Sequence, residues 1–302
     1  MKQKEFKLIA KLFAFVFLAA IGLLSSCNPE GFKPSPGNYI IQGPQDTDPA
    51  FSPNGNLIAY AHWADTAKNY PNGLYVINKD GGNRRLVLAG SYFNSPSWSP
   101  NGEWLAASSG KLLKCKINGD SLTVFSGLNN LKYPEFYFPS WTKDGRYILF
   151  DKPLNPDGGL YYMRSDFSHG SRIFGLEVLG RDPELSPSGK YFLYERGGVG
   201  IEHGEIFLQD TTGVNETQLT QNRRDNRGPS WSPDGQKIVW SGNLHISIMN
   251  ADGSGQKDIE YGNSPSWSVN NEIVYSHANA DYTKEVLYII SPDGKNKKQI
   301  TF

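Results

Sequence analysis

The chain has 302 residues, with 30 Lys and Arg against 30 Asp and Glu, and that balance argues against a nucleic-acid binder working through a basic face. Hydrophobic residues at 38% exclude a disordered chain. With 32 Gly, 19 Pro and 13% aromatic residues, the composition excludes a long helical bundle and predicts many short strands separated by turns.

At the amino terminus, Lys2, Lys4, Lys7 and Lys11 precede an uncharged run from Leu12 to Leu24. A membrane span needs about 20 apolar residues, so this shorter run fits the apolar region of a secretory signal. The run ends in Leu24-Ser25-Ser26-Cys27, which resembles the bacterial lipobox. That resemblance implies cleavage before Cys27, a diacylglycerol on its sulfur, and residence in the bacterial cell envelope, anchored to the outer membrane and facing the periplasm or the surface. Residues 1–26 are thus expected to be a signal peptide. Residues 27–47 carry the lipidated Cys and a tether with Pro29, Gly31, Pro34, Pro36 and Gly37, a composition that keeps a linker flexible. Cys115 is then the only thiol left for the fold; in the alternating run Leu112 to Ile117 it reads as a small buried hydrophobe.

From Asp48 onward one motif recurs six times. It is Asp48-Pro49-Ala50-Phe51-Ser52-Pro53-Asn54-Gly55, then Ser95 to Gly102, Phe138 to Gly145, Asp182 to Gly189, Gly228 to Gly235 and Ser264 to Asn271. Each copy is followed by a β-rich run (Leu57-Ile58-Ala59-Tyr60 in the first), a loop of variable length, a second run (Leu74-Tyr75-Val76-Ile77), a tight turn such as Asp80-Gly81, and a short last strand. Four strands per unit at roughly 40–45 residues per repeat describe a propeller blade. The expected fold is all-β: a six-bladed β-propeller of four-stranded blades over residues 48–302.

The recurring Pro-x-Trp-Ser-Pro-Asp-Gly, Asp-Gly and terminal Gln-Leu-Thr (Gln218-Leu219-Thr220) or Gln-Ile-Thr (Gln299-Ile300-Thr301) resemble the TolB-like, WD-type propeller repeats of bacterial envelope proteins. The same repeats occur in propellers of prolyl-oligopeptidase relatives. Within the motif, Asp144 and Asp234 sit where a turn wants a side chain that bonds its own backbone, and the Trp of each unit reads as packing between blades.

Function is therefore sought where the blades differ. The loops between second and third strands and between blades share one face and are long and unequal: Ala61 to Gly73, Asp151 to Gly159, Glu195 to Gly204, Ser276 to Lys284. Variable loops on a rigid scaffold are where binding resides. Candidate binding residues there are Trp63, Tyr92, Phe93, Arg181, Arg196, Arg223, Arg224 and Arg227, since rings beside Arg make recognition surfaces. The expected function is a lipid-anchored binding module presenting this face to an envelope protein, peptide or glycan, with no cofactor and no nucleic acid.

The alternative is an enzyme. His62 and His277 hold the same repeat position in the first and last units, and His203 is expected in a loop of the same face. A His-bound divalent metal over the channel would resemble the oligogalacturonate lyases, which are built on a related propeller. Ser hydrolysis lacks its Gly-x-Ser-x-Gly elbow, and no phosphate-binding Gly motif is present.

Overall fold

The computed structural model describes residues 41, 43–64, 70–125, 135–153, 158–173, 180–198 and 201–302. The expected signal peptide, Cys27 and the tether through residue 40 lie outside the described residues. Among those described, regular structure is entirely β, and no helix is long and apolar enough to cross a membrane.

The strands run in six meanders. The first comprises β1 (Gln45–Phe51), β2 (Leu57–Trp63), β3 (Gly73–Asn78) and β4 (Arg85–Ala89). The second is β5 (Asn94–Trp98), β6 (Trp104–Ser108), β7 (Leu112–Lys116) and β8 (Thr123–Val124). The third is β9 (Tyr137–Trp141), β10 (Tyr147–Lys152), β11 (Gly159–Arg164) and β12 (Gly170–Arg172). The fourth is β13 (Gly180–Leu185), β14 (Tyr191–Gly198), β15 (Ile201–Asp210) and β16 (Glu216–Gln218). The fifth is β17 (Asn226–Trp231), β18 (Lys237–Gly242), β19 (His245–Asn250) and β20 (Lys257–Tyr261). The last is β21 (Asn263–Trp267), β22 (Ile273–Ala278), β23 (Glu285–Ile290) and β24 (Lys298–Gln299). Neighbours within each meander pair antiparallel. The middle four are separate four-stranded sheets, whereas the first and last join in one eight-stranded sheet through a parallel pairing of Gln45 with Glu285.

Around the axis, β1 packs on β5, β5 on β9, β9 on β13, β13 on β17, β17 on β21 and β21 on β1. These first strands wall a central channel. Among the described residues the seam between the first and last blades exchanges no strand: Gly43 N–H donates to Thr283 O and Glu285 N–H to Pro44 O, each at 3.2 Å. Beneath those bonds Phe51, Ile58, Tyr60, Tyr75 and Ile77 of blade 1 pack on Val274, Leu287, Ile289 and Ile300 of blade 6.

The recurring turn is held by its own side chains. Ser232 Oγ donates to Asp234 Oδ1 at 2.6 Å and accepts from Lys237 N–H at 2.9 Å, while Gln236 N–H donates to Asp234 Oδ1 at 3.0 Å. The same bonds recur at Ser52 with Asn54, Ser99 with Asn101 and Thr142 with Asp144. Gly235 follows at φ 68°, in the left-handed region that a Cβ disfavours. The hydroxyl of Ser232 and the backbone of Gln236 hold the Asp234 carboxyl below the usual carboxylate range, as suits a turn acceptor rather than a catalytic acid.

The repeated Trp residues fill the joints between blades. Trp98 packs with Ala59, Leu74 and Val76 of blade 1 and Leu105 of blade 2, and its indole N–H donates to Ala50 O at 3.0 Å. Trp231 packs in the same way between blades 4 and 5, and Trp267 between blades 5 and 6. Cys115 is fully buried in the joint of blades 1 and 2, and burial pushes its thiol up to about 11.

One loop differs from expectation. The stretch Glu195 to Gly204 is largely strand, because β14 and β15 extend past the other blades and still pair at Gly198 and Ile201. His203 therefore lies on β15, not on a loop.

Candidate functional site

Every first strand breaks register with its neighbour just before its Pro. The slips fall between Thr47 and Ala50, Asn94 and Ser97, Arg181 and Glu184, Arg227 and Ser230, and Asn263 and Ser266; blade 3 slips between Leu149 and Asp151 of the partner strand. The residue at the slip is left-handed in all six: Asp48, Ser95, Phe138, Asp182, Gly228 and Ser264, with φ between 44° and 56°. Such bulges bend a strand and re-aim its side chains. Here they turn six residues onto the wall of a cavity of about 800 Å³, which also takes in Glu184 and Glu195.

The wall is acidic. Ser264 Oγ donates to Asp48 Oδ1 at 2.8 Å and Ser95 N–H to Asp48 Oδ2 at 3.4 Å, yet burial outweighs both and raises the Asp48 pKa. Asp182 is raised further, first by burial and then by repulsion from Glu195, Asp151, Asp48 and Glu184. Glu184 accepts the Trp231 N–H at 3.1 Å and is raised by burial despite Lys143. At the loop-face end, Glu195 is pushed up to about 7 by burial, partly countered by Arg227 and Arg181. Behind it Asp151 is 2% exposed, raised well above the carboxylate range by burial, and its Oδ1 has no hydrogen-bond partner among the described residues.

Of the residues read as binding candidates, the structure brings together Trp63 and Tyr92, edge to face at 5.1 Å, with Tyr92 71% exposed. Arg181 and Arg227 are exposed, and both act on Glu195 at the channel mouth. Arg223 is an exposed loop residue at φ 56°. Three others are engaged elsewhere. Phe93 is 5% exposed in the joint of blades 1 and 2, so it is a core ring and not a recognition residue. Arg196 lies 3.7 Å over the Phe207 ring and grips Glu216 with bonds of 2.8 and 2.9 Å, which fixes it within blade 4. Arg224 is held on Asp258 at 2.8 and 2.9 Å.

His62 and His277 have separate surroundings. His62 is 5% exposed, with Nδ1 2.6 Å from Asp46 Oδ1 and 2.9 Å from Arg84 Nη2, between the rings of Tyr70 and Tyr75. His277 lies against Tyr261 and Tyr288, and burial lowers its pKa. Among the described residues no group of three His, Cys, Asp or Glu is placed to hold a metal.

The acidic wall was not picked out from the sequence, where Asp48 and Asp182 read as members of a turn motif. The available signal was that two of six copies carry Asp immediately before Pro, at the same position, while the others carry Ser, Phe or Gly.

A family model described as the TolB beta propeller domain matches residues 48–260. Among curated proteins the chain is similar to Atu1656 of Agrobacterium fabrum (strain C58), 29% identical over 190 residues that make up 55% of this chain and 58% of that protein. Among solved structures it is similar to TolB from Acinetobacter baumannii, with a TM-score of 0.67 and 20% identity, over 81% of this chain and 63% of that one. It is also similar to the β-propeller domain of the Trilobed protease from Pyrococcus furiosus, described as having an open velcro topology. There the TM-score is 0.56 at 17% identity, covering 87% of this chain and 97% of that one. The chain thus spans less than two thirds of the length of the first two.

Proposed function

Because this chain belongs to the TolB beta propeller domain family, we propose that it is a binding module of the bacterial cell envelope, anchored by a lipid on Cys27, whose loop face and channel mouth take up a protein or peptide. The observation that carries the reading is the channel itself. Its wall presents Glu195 and Arg227 at the loop-face end and acidic residues within, on strands fixed by the blade joints. A concave, rigid site with a few converging polar groups is the general form of a ligand site. Half-buried Trp63 and exposed Tyr92 add an aromatic pair on the same face.

The test uses the full chain and its Cys27→Ser variant expressed in a bacterial host, with a photo-crosslinker at Tyr92 and a second preparation carrying it at Val214, on a hairpin of the opposite face. The expected outcome is an acylated wild type, an unacylated variant, and a crosslinked partner at Tyr92 that Arg227→Ala and Trp63→Ala weaken. Equal crosslinking from both faces, insensitive to those substitutions, would sink the reading.

A further inference from the structure

We propose that the blade 1 corner of the loop face, built on Trp63, Tyr92 and Tyr70, rests in the headgroup region of the bilayer that holds the lipid on Cys27. This contact goes beyond the binding reading and rests on the anchor that reading includes.

The chain enters the propeller on this face. Gln45, the first residue of β1, pairs with Trp63, the last of β2, and Gly43 just ahead donates to Thr283 in the connection from β22 to β23. Gly43 lies sixteen residues beyond Cys27. A chain of that length spans about 20–24 Å as a coil and at most about 53–58 Å fully extended. β1 and β2 are 7 residues each, about 23 Å from face to face. To lay the far face on the membrane, the chain would have to run nearly straight around the rim of the propeller. A lipid on Cys27 therefore brings the loop face toward the bilayer.

The corner beside that entrance is shaped to present rings. Tyr92 is 71% exposed and left-handed at φ 65°, and Tyr70 is 46% exposed. A bulky residue in that backbone region is strained, and the fold gains little from a ring left in water. The strain is held by Asn72. Its carbonyl accepts the Gly90 N–H at 3.0 Å, its Oδ1 accepts the Ala64 N–H at 2.7 Å, and its Nδ2 donates to Ser91 Oγ at 3.4 Å. These bonds join the end of β2, the start of β3 and the lead into β5 in one platform, where Tyr92 meets half-buried Trp63 edge to face.

The composition of the corner selects its occupant. Residues 70–73 and 89–94 carry no charged side chain. Trp and Tyr gather where a bilayer meets water, because the ring is apolar while its N–H or O–H stays hydrated. Exposed Val214 and Val269, by contrast, lie on turns of separate blades at the far face. So few rings would bind a membrane weakly from solution, but an anchor raises the effective concentration to roughly millimolar, enough for them to set the orientation. Contact at the blade 1 corner tips the loop face, and the channel mouth near Glu195 and Arg227, on blades 4 and 5, opens beside the bilayer.

The experiment uses the full chain purified with its lipid, in vesicles of three parts phosphatidylethanolamine to one part phosphatidylglycerol that hold no other protein. An environment-sensitive dye is placed on Ser91→Cys, on Arg223→Cys at another sector of the same face, or on Val214→Cys at the far face; acylated Cys27 and fully buried Cys115 escape labelling. The dye at residue 91 should shift to the blue and be quenched by brominated lipid, and the dyes at residues 223 and 214 should remain in water. Tyr92→Asn, which suits a left-handed backbone, should remove more than half of the quenching, and Tyr92→Phe should retain it. A dye at residue 91 that stays in water on acylated protein, quenching unchanged by Tyr92→Asn, or equal quenching at residues 91 and 223 would each overturn the contact while leaving the loop-face binding reading intact. Quenching confined to residue 91, together with face-insensitive protein crosslinking, would do the reverse. An unacylated Cys27 would overturn both the anchor and the contact.

Discussion

His62 and Asp46 meet at 2.6 Å inside blade 1, and neither side chain is more than 6% exposed. Arg84 closes the group, with Nη2 3.2 Å from the same Asp46 oxygen and its guanidinium 4.1 Å over the Tyr70 ring. Removing one member of a buried ionic group strands the others. Asp46→Ala should therefore cost about 3–5 kcal/mol, measured by chemical denaturation, and Asp46→Asn should cost less because it retains an acceptor. A loss within a few tenths of a kcal/mol would show the group to be solvated.

Trp231 tests the joints between blades. It is 4% exposed between Leu193 and Leu219 of blade 4 and Ile238 of blade 5, and its indole N–H has no hydrogen-bond partner among the described residues. Its contribution is therefore packing. Trp231→Ala should cost about 3–5 kcal/mol, whereas Trp231→Phe, which loses no hydrogen bond, should cost under about 1.5 kcal/mol.

The acidic wall makes stability depend on pH. The folded Glu195 carboxyl sits at about 7, above its ordinary value of 4.5, so the folded state binds the proton more tightly than the unfolded chain does. Stability is then full below that ordinary value and is lost as pH rises through about 7. Asp48, Asp182, Glu184 and Glu285 are raised by burial and act with the same sign. Tm should fall between pH 5 and 8, and Glu195→Gln should flatten the fall around pH 7. A Tm that climbs over this interval would contradict the buried acidic wall.

At the seam, a Cβ on Gly43 would stand 2.4 Å from Thr283 O, too close for any side chain. Gly43→Ala should push the strand entrance away from blade 6 and break the two bonds there. At about 1 kcal/mol for each hydrogen bond, the loss should be about 2 kcal/mol. Amide exchange should quicken at Glu285 while the amide of Val239, in the centre of blade 5, keeps its protection.

Much of the blade grammar was legible because it is local. Ser232, Asp234 and Gly235 specify their turn through bonds spanning a few residues, and Trp231 marks a joint because a large ring recurring at one position needs a constant partner surface. The site was less legible because it depends on which residues of distant blades face each other. Phe93 sits beside exposed Tyr92 in sequence, but in the loop ahead of β5 Tyr92 is left-handed at φ 65°, and the two rings go to opposite environments. Arg196 reads as a free loop cation until β14 is seen to continue through it, placing its guanidinium over Phe207. Asp182 and Asp48 are separated by three repeats, and only the closed ring of first strands sets them against each other. The pairing of Gln45 with Glu285 likewise carries no local signature.

The seam also determines how the propeller bears load. Among the described residues every blade is built from consecutive strands, and none is clasped by a strand from the far end of the chain. The chain enters the ring at Gly43, directly into the two hydrogen bonds that bridge blade 1 to blade 6. Tension applied ahead of that residue falls on those bonds one after the other, in the manner of a peel, while the five remaining joints lie away from the line of force. The propeller therefore has a built-in order of mechanical failure, in which blade 1 lifts off blade 6 before any other joint is strained.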